Sequence, residues 1–176
     1  MTEAPLLKTD RLTLRKHNVE DFVALHAMRT EPAVYRHITG HPQTREESWS
    51  RLLRYTGHWT LLGFGYWVVE ERESGAFIGE MGFAEYHRDI DPSFGDRPEL
   101  GWALKTDSHG KGYATEALTT ITAWGDVHFG KRETACMITP ENTASIRVAG
   151  KIGFRENLRT TYKGKPVVVF YREPKS

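Results

Sequence analysis

The sequence predicts a single α/β (α+β) domain, with a mixed, mostly antiparallel sheet and helices on both of its faces. Its 176 residues suffice for one domain with a proper core and are few for two, so one domain is expected over residues 1–176. Consecutive strand patterns dominate the first half, which favours antiparallel pairing. Strand and helix patterns alternate in the second half, which implies at least one right-handed crossover and locally parallel pairing.

The first half opens with a strand pattern and then changes to helix patterns. Polar and apolar residues alternate through "RLTLRK", 11–16, as in a half-buried strand. Asn18 is placed to cap a following helix, and "EPAVYRHI" predicts another helical turn with Pro32 near its start. "TREE", 44–47, has the spacing of a capping box. The next helix is expected to present one apolar stripe, formed by Trp49, Leu52, Leu53 and Thr56.

Two strands joined by a tight turn are predicted next. They are "GYWVVEE" and "GAFIGEMGFAEY", and "RESG" is the predicted hairpin turn between them. A polar loop with Pro and Gly, 87–98, follows, and its length indicates a functional or a mobile segment.

The second half predicts three strands and two helices. A strand, "ELGWAL", leads through the loop "KTDSHGKG" to the helix "YATEALTTITAWGDVHF". The strand "ETACMIT", the helix "NTASIRVAGKI", the dipeptide "GF" and a last strand, "PVVVFYRE", complete the order. One face of the first helix is expected to be apolar, through Ala117, Leu118, Ile121, Trp124 and Gly125.

The composition excludes several classes of function. The formal net charge of +1 gives no bulk electrostatic reason to expect nucleic acid or a membrane as a partner. The single cysteine, Cys136, excludes an internal disulfide, and no Cys/His spacing resembles a metal site. We see no signal peptide and no apolar stretch of membrane-spanning length, so a cytoplasmic location is expected.

The stretch "DSHGKGYATEAL", 107–118, has the order of a phosphate-binding site: a strand, a glycine-rich turn and the start of a helix. Free N–H groups at a helix start, together with the helix dipole, attract an anion. Gly110 and Gly112 remove Cβ atoms where the anion would approach, and His109 and Lys111 add positive character. The stretch matches neither the Walker pattern nor the dinucleotide fingerprint, and a simple tight turn explains it equally well.

A second segment makes the pattern more specific. In "PENTASIRVAGKIGF", Asn142 is placed as an N-cap and Gly153 at a helix end. Together, "HGKGYA" and "ENTASIRVAGKIGF" resemble the acetyl-CoA-binding half of the GNAT superfamily of N-acetyltransferases. "TDRLTLRKHNVEDF" and "SIRVAGKIGF" resemble its Rim-type branch, which includes enzymes that acetylate N-termini of ribosomal proteins. The resemblance covers about 7–172.

The resemblance implies a GNAT-like fold, acetyl-CoA as co-substrate and a set of residues that bind it. The strand before the loop would lie along the pantetheine arm, the loop backbone would hold the pyrophosphate, and Asn142 and Ser145 would lie near the arm and the sulfur. The implied set is Trp102, Ala103, Leu104, His109, Gly110, Lys111, Gly112, Tyr113, Ala114, Asn142 and Ser145.

The sequence departs from the family pattern at the general acid. Many members carry a tyrosine seven residues after the asparagine, and here that position is Ala149. Ser145 or an ordered water would then handle the proton of the leaving thiolate. For the general base, the candidates are Glu99 at the start of the cofactor strand, Glu80 within "FIGEMGF", and water alone.

The acceptor pocket is expected between the early helices and the first strands, with aromatic residues available for cation–π contact with an amine. The candidates are Tyr35, His37, Trp59, Tyr66, Trp67 and Tyr86, although aromatic residues are also common in cores.

The sequence leaves the identity of the acceptor open between a protein N-terminus, a polyamine, an amino acid and an aminoglycoside. A homodimer is compatible with the sequence. The alternatives to an enzyme are a non-catalytic acyl-CoA-binding or regulatory module and a nucleotide-binding protein.

Overall fold

Eight strands form one open sheet in the order β1-β2-β3-β4-β5-β6-β8-β7 in the computed structural model, which describes residues 3–175. In chain order the elements are β1 (Leu7–Lys8), β2 (Leu12–Arg15), a short 3-10 helix (Val19–Asp21), α1 (Phe22–Arg29), α2 (Pro32–Tyr35), α3 (Arg45–Leu62), β3 (Tyr66–Glu71), β4 (Phe77–Ala84), β5 (Glu99–Leu104), a second 3-10 helix (Thr106–Ser108), α4 (Tyr113–Phe129), β6 (Thr134–Ile138), α5 (Thr143–Lys151), β7 (Arg155–Tyr162) and β8 (Lys165–Arg172).

The sheet is mixed and mostly antiparallel, which confirms the predicted fold class. The only parallel pair among the described strands is β5 with β6, and α4 forms the crossover between them. Parallel neighbours require such a crossover, whereas the β3–β4 pair is closed by the predicted "RESG" turn.

The helices lie on both faces of the sheet. On one face, α4 and α5 contribute to the main hydrophobic core, in which Ala117, Leu118 and Ile121 of α4 are fully buried. These residues belong to the apolar face predicted for this helix. On the other face, Met28 of α1 and Val34 pack near Ala103 of β5.

Two predicted helix starts are present with the predicted caps. The Asn18 side chain accepts a hydrogen bond from the Asp21 N–H, and the Asp21 carboxylate accepts one from the Asn18 N–H. Thr44 and Glu47 form the same reciprocal pair at the start of α3. Cys136 is buried in the main core, as expected for a structural cysteine, and burial raises the pKa of its thiol.

The stripe predicted for α3 is wrong for three of its four residues. Leu52 is buried, but Thr56 is exposed, and Trp49 and Leu53 are 38% and 51% exposed. The buried face of α3 instead consists of Ser48, Leu52, Tyr55, His58 and Trp59. Polar side chains hold three of these positions, so counting apolar residues selects the wrong side of the helix.

The strand β7 was missed because its sequence, "RENLRTTY", carries no apolar run. It lies at the sheet edge, with most of its side chains exposed, and pairs only with β8 among the described strands. No helix within residues 3–175 is both long and apolar enough to cross a membrane.

Candidate active site

The sheet has an open edge in its middle, where β5 meets β6. β5 pairs with β4 along its whole length, from Glu99 opposite Ala84 to Leu104 opposite Gly79. Within residues 3–175, its pairing with β6 is limited to Glu99 beside Ala135. The rest of the β5 edge therefore faces a gap between two strands that are neighbours in the sheet.

The orientation of the β5 backbone follows from one hydrogen bond. The Ala135 N–H donates to the Pro98 carbonyl at 3.0 Å, so the backbone groups of Pro98 point toward β6. Because backbone groups alternate between the two edges of a strand, those of Trp102 and Leu104 point into the same gap. An extended ligand can add to such an edge as an extra strand.

The glycine loop closes one end of this gap. Gly110 and Gly112 have φ of +73° and +80°, in the left-handed region that side chains rarely adopt. An ideal Cβ on Gly110 would meet nothing within 4 Å, and on Gly112 it would meet only Arg11, at 3.5 Å. The backbone conformation, rather than a lack of space, therefore requires glycine here.

The loop and the first turn of α4 present a row of unused donors. The first hydrogen bond of α4 runs from the Glu116 N–H to the Gly112 carbonyl. In the part of the chain that the structure describes, the N–H groups of Gly110 to Ala114 have no protein acceptor. Successive N–H groups around left-handed residues at a helix start form an anion-binding concavity.

His109 makes two contacts within the protein. Its N–H donates to the Thr106 carbonyl at 3.1 Å and is not free for an anion. Its ring is 2.9 Å from the Leu104 carbonyl, and since a carbonyl only accepts, Nε2 carries the hydrogen. His109 therefore fastens the loop to the end of β5, and the predicted row of phosphate donors begins at Gly110.

Arg11, which follows β1, holds the loop from the side. Its Nη1 donates to the Lys111 carbonyl at 3.0 Å, and its Nε donates to Glu116 at 2.7 Å. Its guanidinium also stacks over the Tyr113 ring, with Cζ 4.6 Å from the ring centroid. Tyr113 in turn donates to Glu71 at 2.5 Å. One guanidinium therefore contacts the loop backbone and two side chains of the first turn of α4.

An open depression of about 620 Å³ lies beside the loop. It runs along the first turns of α4 and reaches the end of α5; its lining is Thr9, Asp10, Gly112, Thr115, Glu116, Thr119, Thr120 and Lys151. Lys151 is exposed and lies at the far side of this depression from Gly112.

Since the resemblance implies acetyl-CoA as co-substrate, we expect Arg11→Gln to raise the Kd for acetyl-CoA about tenfold and to leave kcat at saturating acetyl-CoA unchanged, because the loop loses its lateral support. Calorimetric titration and steady-state kinetics measure the two quantities. Arg159→Gln, which removes an exposed arginine paired with Glu156, is the matched control. An equal Kd for both variants would contradict the positioning role of Arg11.

The start of α5 lies across the gap from the loop. The Asn142 side chain accepts from the Ser145 N–H at 3.1 Å and so caps the helix as predicted. Ser145 is half-buried and stands in the first turn of α5. Ala149 is fully buried in the main core, so this position carries no proton donor.

Glu99 is held by one arginine. Arg88 Nε and Nη2 donate to its two carboxylate oxygens at 2.6 and 2.8 Å. Burial alone would lower the pKa of Arg88, but the ion pair with Glu99 outweighs it and raises that pKa. Glu99 is one of the residues that line a small cavity of about 70 Å³ beside the loop 84–97, and its side chain is 10% exposed.

Glu80 is fully enclosed. Its carboxylate accepts hydrogen bonds from Arg29 and, at 2.9 Å, from the Tyr55 hydroxyl. His17 lies 3.7 Å away on the other side, and no part of Glu80 is exposed. Burial alone would raise the pKa of Glu80, but Arg29 and His17 outweigh it and hold that pKa well below its usual range. Such a carboxylate is a weak base without direct access to an acceptor.

The aromatic acceptor candidates separate into two groups. Trp59 and Trp67 are core residues: their rings pack edge to face at 4.7 Å, and each indole N–H donates to a backbone carbonyl. The structure therefore places both of them away from any acceptor surface. Tyr35 and His37, in and after α2, and Tyr86, after β4, are half-buried on the opposite face.

Sequence reasoning missed Arg11, Arg29 and Arg88, each of which contacts a candidate residue. Arg88 lies in the long polar loop that was predicted to be functional or mobile, which was the one available signal. Arg11 and Arg29 carry no local signal, because their partners lie 105 and 51 positions away in the chain.

A family described as "Acetyltransferase (GNAT) domain" matches residues 11–155. The uncharacterized protein YkkB of Bacillus subtilis is 30% identical over 95% of this chain and 95% of its own. The uncharacterized N-acetyltransferase p20 of Bacillus licheniformis is 29% identical over 93% of this chain and 92% of its own.

Two solved structures are similar in fold. A GnaT-family acetyltransferase of Bordetella pertussis superimposes with a TM-score of 0.85 at 30% identity, over 96% of this chain and 99% of that chain. A ribosomal-protein-serine acetyltransferase of Vibrio cholerae gives a TM-score of 0.77 at 20% identity, over 99% and 100%, which shows a shared fold alone.

Proposed function

The chain belongs to the GNAT acetyltransferase family and is an acyltransferase, and we propose that it moves the acetyl group of acetyl-CoA to a primary amine by direct attack in a ternary complex. The observation that carries the proposal is the open edge of β5 lying beside a row of five unused N–H groups, from Gly110 to Ala114. An acyl-CoA has the matching parts, an extended amide-bearing arm and a diphosphate.

The residues present fit acetyl-CoA. The five donors of the loop would hold the diphosphate without any cationic side chain, because the helix dipole adds to them. The Leu104 N–H, which lies next to the loop, would bond the pantetheine arm. The Trp102 N–H, which is farther from the loop and nearer Glu99 along β5, would be available to the thioester oxygen, which gains negative charge during attack.

The attacking amine must be neutral. A lysine-type amine has a pKa of about 10.4, so only about one in 2,500 is neutral at pH 7, whereas about a tenth of an α-amine is. A general base is therefore more useful for the first class than for the second. We propose Glu99 as this base, acting through one water, since Glu99 lines a cavity and keeps a partly exposed side chain beside Arg88, whereas Glu80 is fully enclosed.

The departing thiolate needs a proton. Ala149 supplies none, and Ser145, in the first turn of α5, is the candidate that the resemblance implies. A serine hydroxyl is a poor acid on its own, so we propose that Ser145 relays a proton from water. We also propose that the chain belongs to the Rim-type branch of the family. The support for this is the resemblance of two segments, "TDRLTLRKHNVEDF" and "SIRVAGKIGF", to that branch.

We expect Glu99→Gln to lower kcat about 100-fold at pH 7, as loss of a general base does. The loss should shrink as the pH rises, because the acceptor amine then deprotonates without help. Release of free CoA thiol across a pH series measures both effects. Glu133→Gln is the control, because it also removes a carboxylate that pairs with an arginine of the loop between β4 and β5, in this case Arg97. A pH-independent loss would exclude Glu99 as the base.

The test of the function itself is amine-dependent release of CoA thiol. Calorimetric binding of acetyl-CoA together with thiol release that requires an amine supports the transferase. Binding without release for any amine would support the alternative, a non-catalytic acyl-CoA-binding module. No binding would contradict both.

A further inference from the structure

A cluster of arginines and tyrosines lies beside the proposed base, on the α3 side of the sheet. We call it the arginine–tyrosine cluster; its members are Arg51, Arg54, Arg88, Tyr55, Tyr86 and Tyr162. Arg51 Nη1 donates to the Tyr55 hydroxyl at 3.1 Å, and Arg88 Nη1 donates to the Tyr162 hydroxyl at 3.2 Å. These contacts connect α3, the loop after β4 and the β7–β8 hairpin.

The cluster lies close to the proposed reaction centre. Tyr66 stacks parallel on Tyr55, with ring centroids 4.3 Å apart. The Tyr66 hydroxyl lies over Gly101 of β5, where an ideal Cβ would come within 1.9 Å of it. Because side chains alternate along a strand, Glu99 lies on the same face of β5 as position 101. The contacts from Arg51 to Tyr55 and from Tyr55 to Tyr66 therefore lead to β5, the strand that carries Glu99.

Positive charge exceeds negative charge in this region. Glu80 is paired with Arg29, and both carboxylate oxygens of Glu99 are taken by Arg88. Among the residues that the structure describes, neither Arg51 nor Arg54 has a carboxylate within 4 Å. Arg54 is exposed, and Arg51 is half-buried with its Nε 3.3 Å from the Gln43 side-chain oxygen, so Arg54 is fully and Arg51 partly reachable from solvent.

The tyrosine rings are already stacked against cations of the protein. The Tyr86 ring has the guanidinium groups of Arg54 and Arg88 at 5.1 and 4.5 Å from its centroid. The Tyr162 ring has Arg88 at 5.1 Å and Lys163 at 5.5 Å. The cation–π contact expected between Tyr86 and a substrate amine is therefore made by arginine. A polycationic acceptor would also be repelled by the neighbouring guanidinium groups.

We propose that the acceptor is a primary amine that also carries a carboxylate, and that Arg51 and Arg54 bind this carboxylate while the amine faces Glu99. This inference rests on the proposed transferase function and narrows its acceptor class. Planar guanidinium groups bind carboxylates through paired hydrogen bonds, and Arg51 is partly shielded from water. Free amino acids and acidic protein N-termini carry a carboxylate as well as a primary amine, whereas polyamines and aminoglycosides carry amines without a carboxylate.

The experiment measures thiol release from acetyl-CoA with four acceptors at equal concentration. They are glutamate, a C-terminally amidated peptide with an acidic residue second, the same amidated peptide with that residue as its amide, and spermidine. We expect the acidic acceptors to exceed their neutral counterpart and spermidine at least tenfold in kcat/KM. The ratio of glutamate to acidic peptide shows which of the two sources of the carboxylate the site takes.

The variant Arg51→Gln is expected to raise KM for the preferred acidic acceptor by about 10- to 100-fold, as loss of a hydrogen bond to a charged group does. Arg51→Lys should restore part of the loss. Arg54→Gln, at an exposed position, gives a second test if Arg51→Gln does not fold. Arg45→Gln removes the same charge from the same helix, where the guanidinium covers Phe22, and should change nothing.

Three outcomes overturn the inference: preference for spermidine or the neutral peptide, equal effects of Arg51→Gln and Arg45→Gln, or no release with any of the four amines by protein that binds acetyl-CoA. Failure to bind acetyl-CoA at all would instead refute the proposed function.

Discussion

Gly112→Glu is expected to raise the Kd for acetyl-CoA at least about 100-fold, because like charges in direct contact cost several kcal/mol. Gly112 is the exposed N-cap residue of α4, and its φ of +80° strains any side chain there. The new carboxylate would stand among the donors proposed to hold the diphosphate. Calorimetric titration with acetyl-CoA measures the loss.

Gly63→Glu is the matched control for this variant. Gly63 is the C-cap residue of α3 with a φ of +77°, and an ideal Cβ there would meet only His128, in the last turn of α4, at 4.0 Å. The control therefore brings a similar strain and the same charge to the end of α4 that is opposite to the loop. Unchanged affinity in Gly112→Glu, or an equal loss in both variants, would contradict the phosphate assignment.

Glu80→Ala is expected to lower the free energy of unfolding by about 3–5 kcal/mol, the usual cost of removing one partner of a buried ion pair. Arg29, which is 3% exposed, would lose its carboxylate and keep its charge. Urea unfolding measures the change. Glu156→Ala, which breaks the exposed pair with Arg159, is the control and should unfold like the unmodified protein.

The stability contributed by Glu80 should also depend on pH. Its pKa is depressed in the folded protein, chiefly by Arg29 acting against burial, so folding favours the ionised form. This contribution is complete above the unfolded-state pKa of about 4.3 and is lost as the pH falls below it. The difference between the unmodified protein and Glu80→Ala should therefore shrink in acid. A constant difference would contradict the ion pair as its source.

Local patterns predicted most of the elements of the fold. The capping boxes at Asn18 and Thr44, the "RESG" turn and the helix after the glycine loop are encoded by neighbouring residues, so sequence alone suffices for them. Two elements depend on tertiary context instead. The strand β7 gains its structure from pairing with β8, and α3 buries polar side chains that have partners elsewhere in the chain.

The candidate site shows the same division. The glycine loop and Asn142 could be found from sequence because their conformations demand particular residue types within a few positions. The partners of the two candidate carboxylates could not be found. Arg29 and Arg88 reach Glu80 and Glu99 only after the chain has folded, and only then is Glu80 fully enclosed while Glu99 lines a cavity.

The central claim is that an acyl-CoA lies in the gap between β5 and β6. A crystal structure of the protein with acetyl-CoA tests it directly. The account predicts the diphosphate within hydrogen-bond distance of the Gly110–Ala114 N–H groups and the thioester beside Trp102–Leu104. Coenzyme bound away from both segments would contradict it.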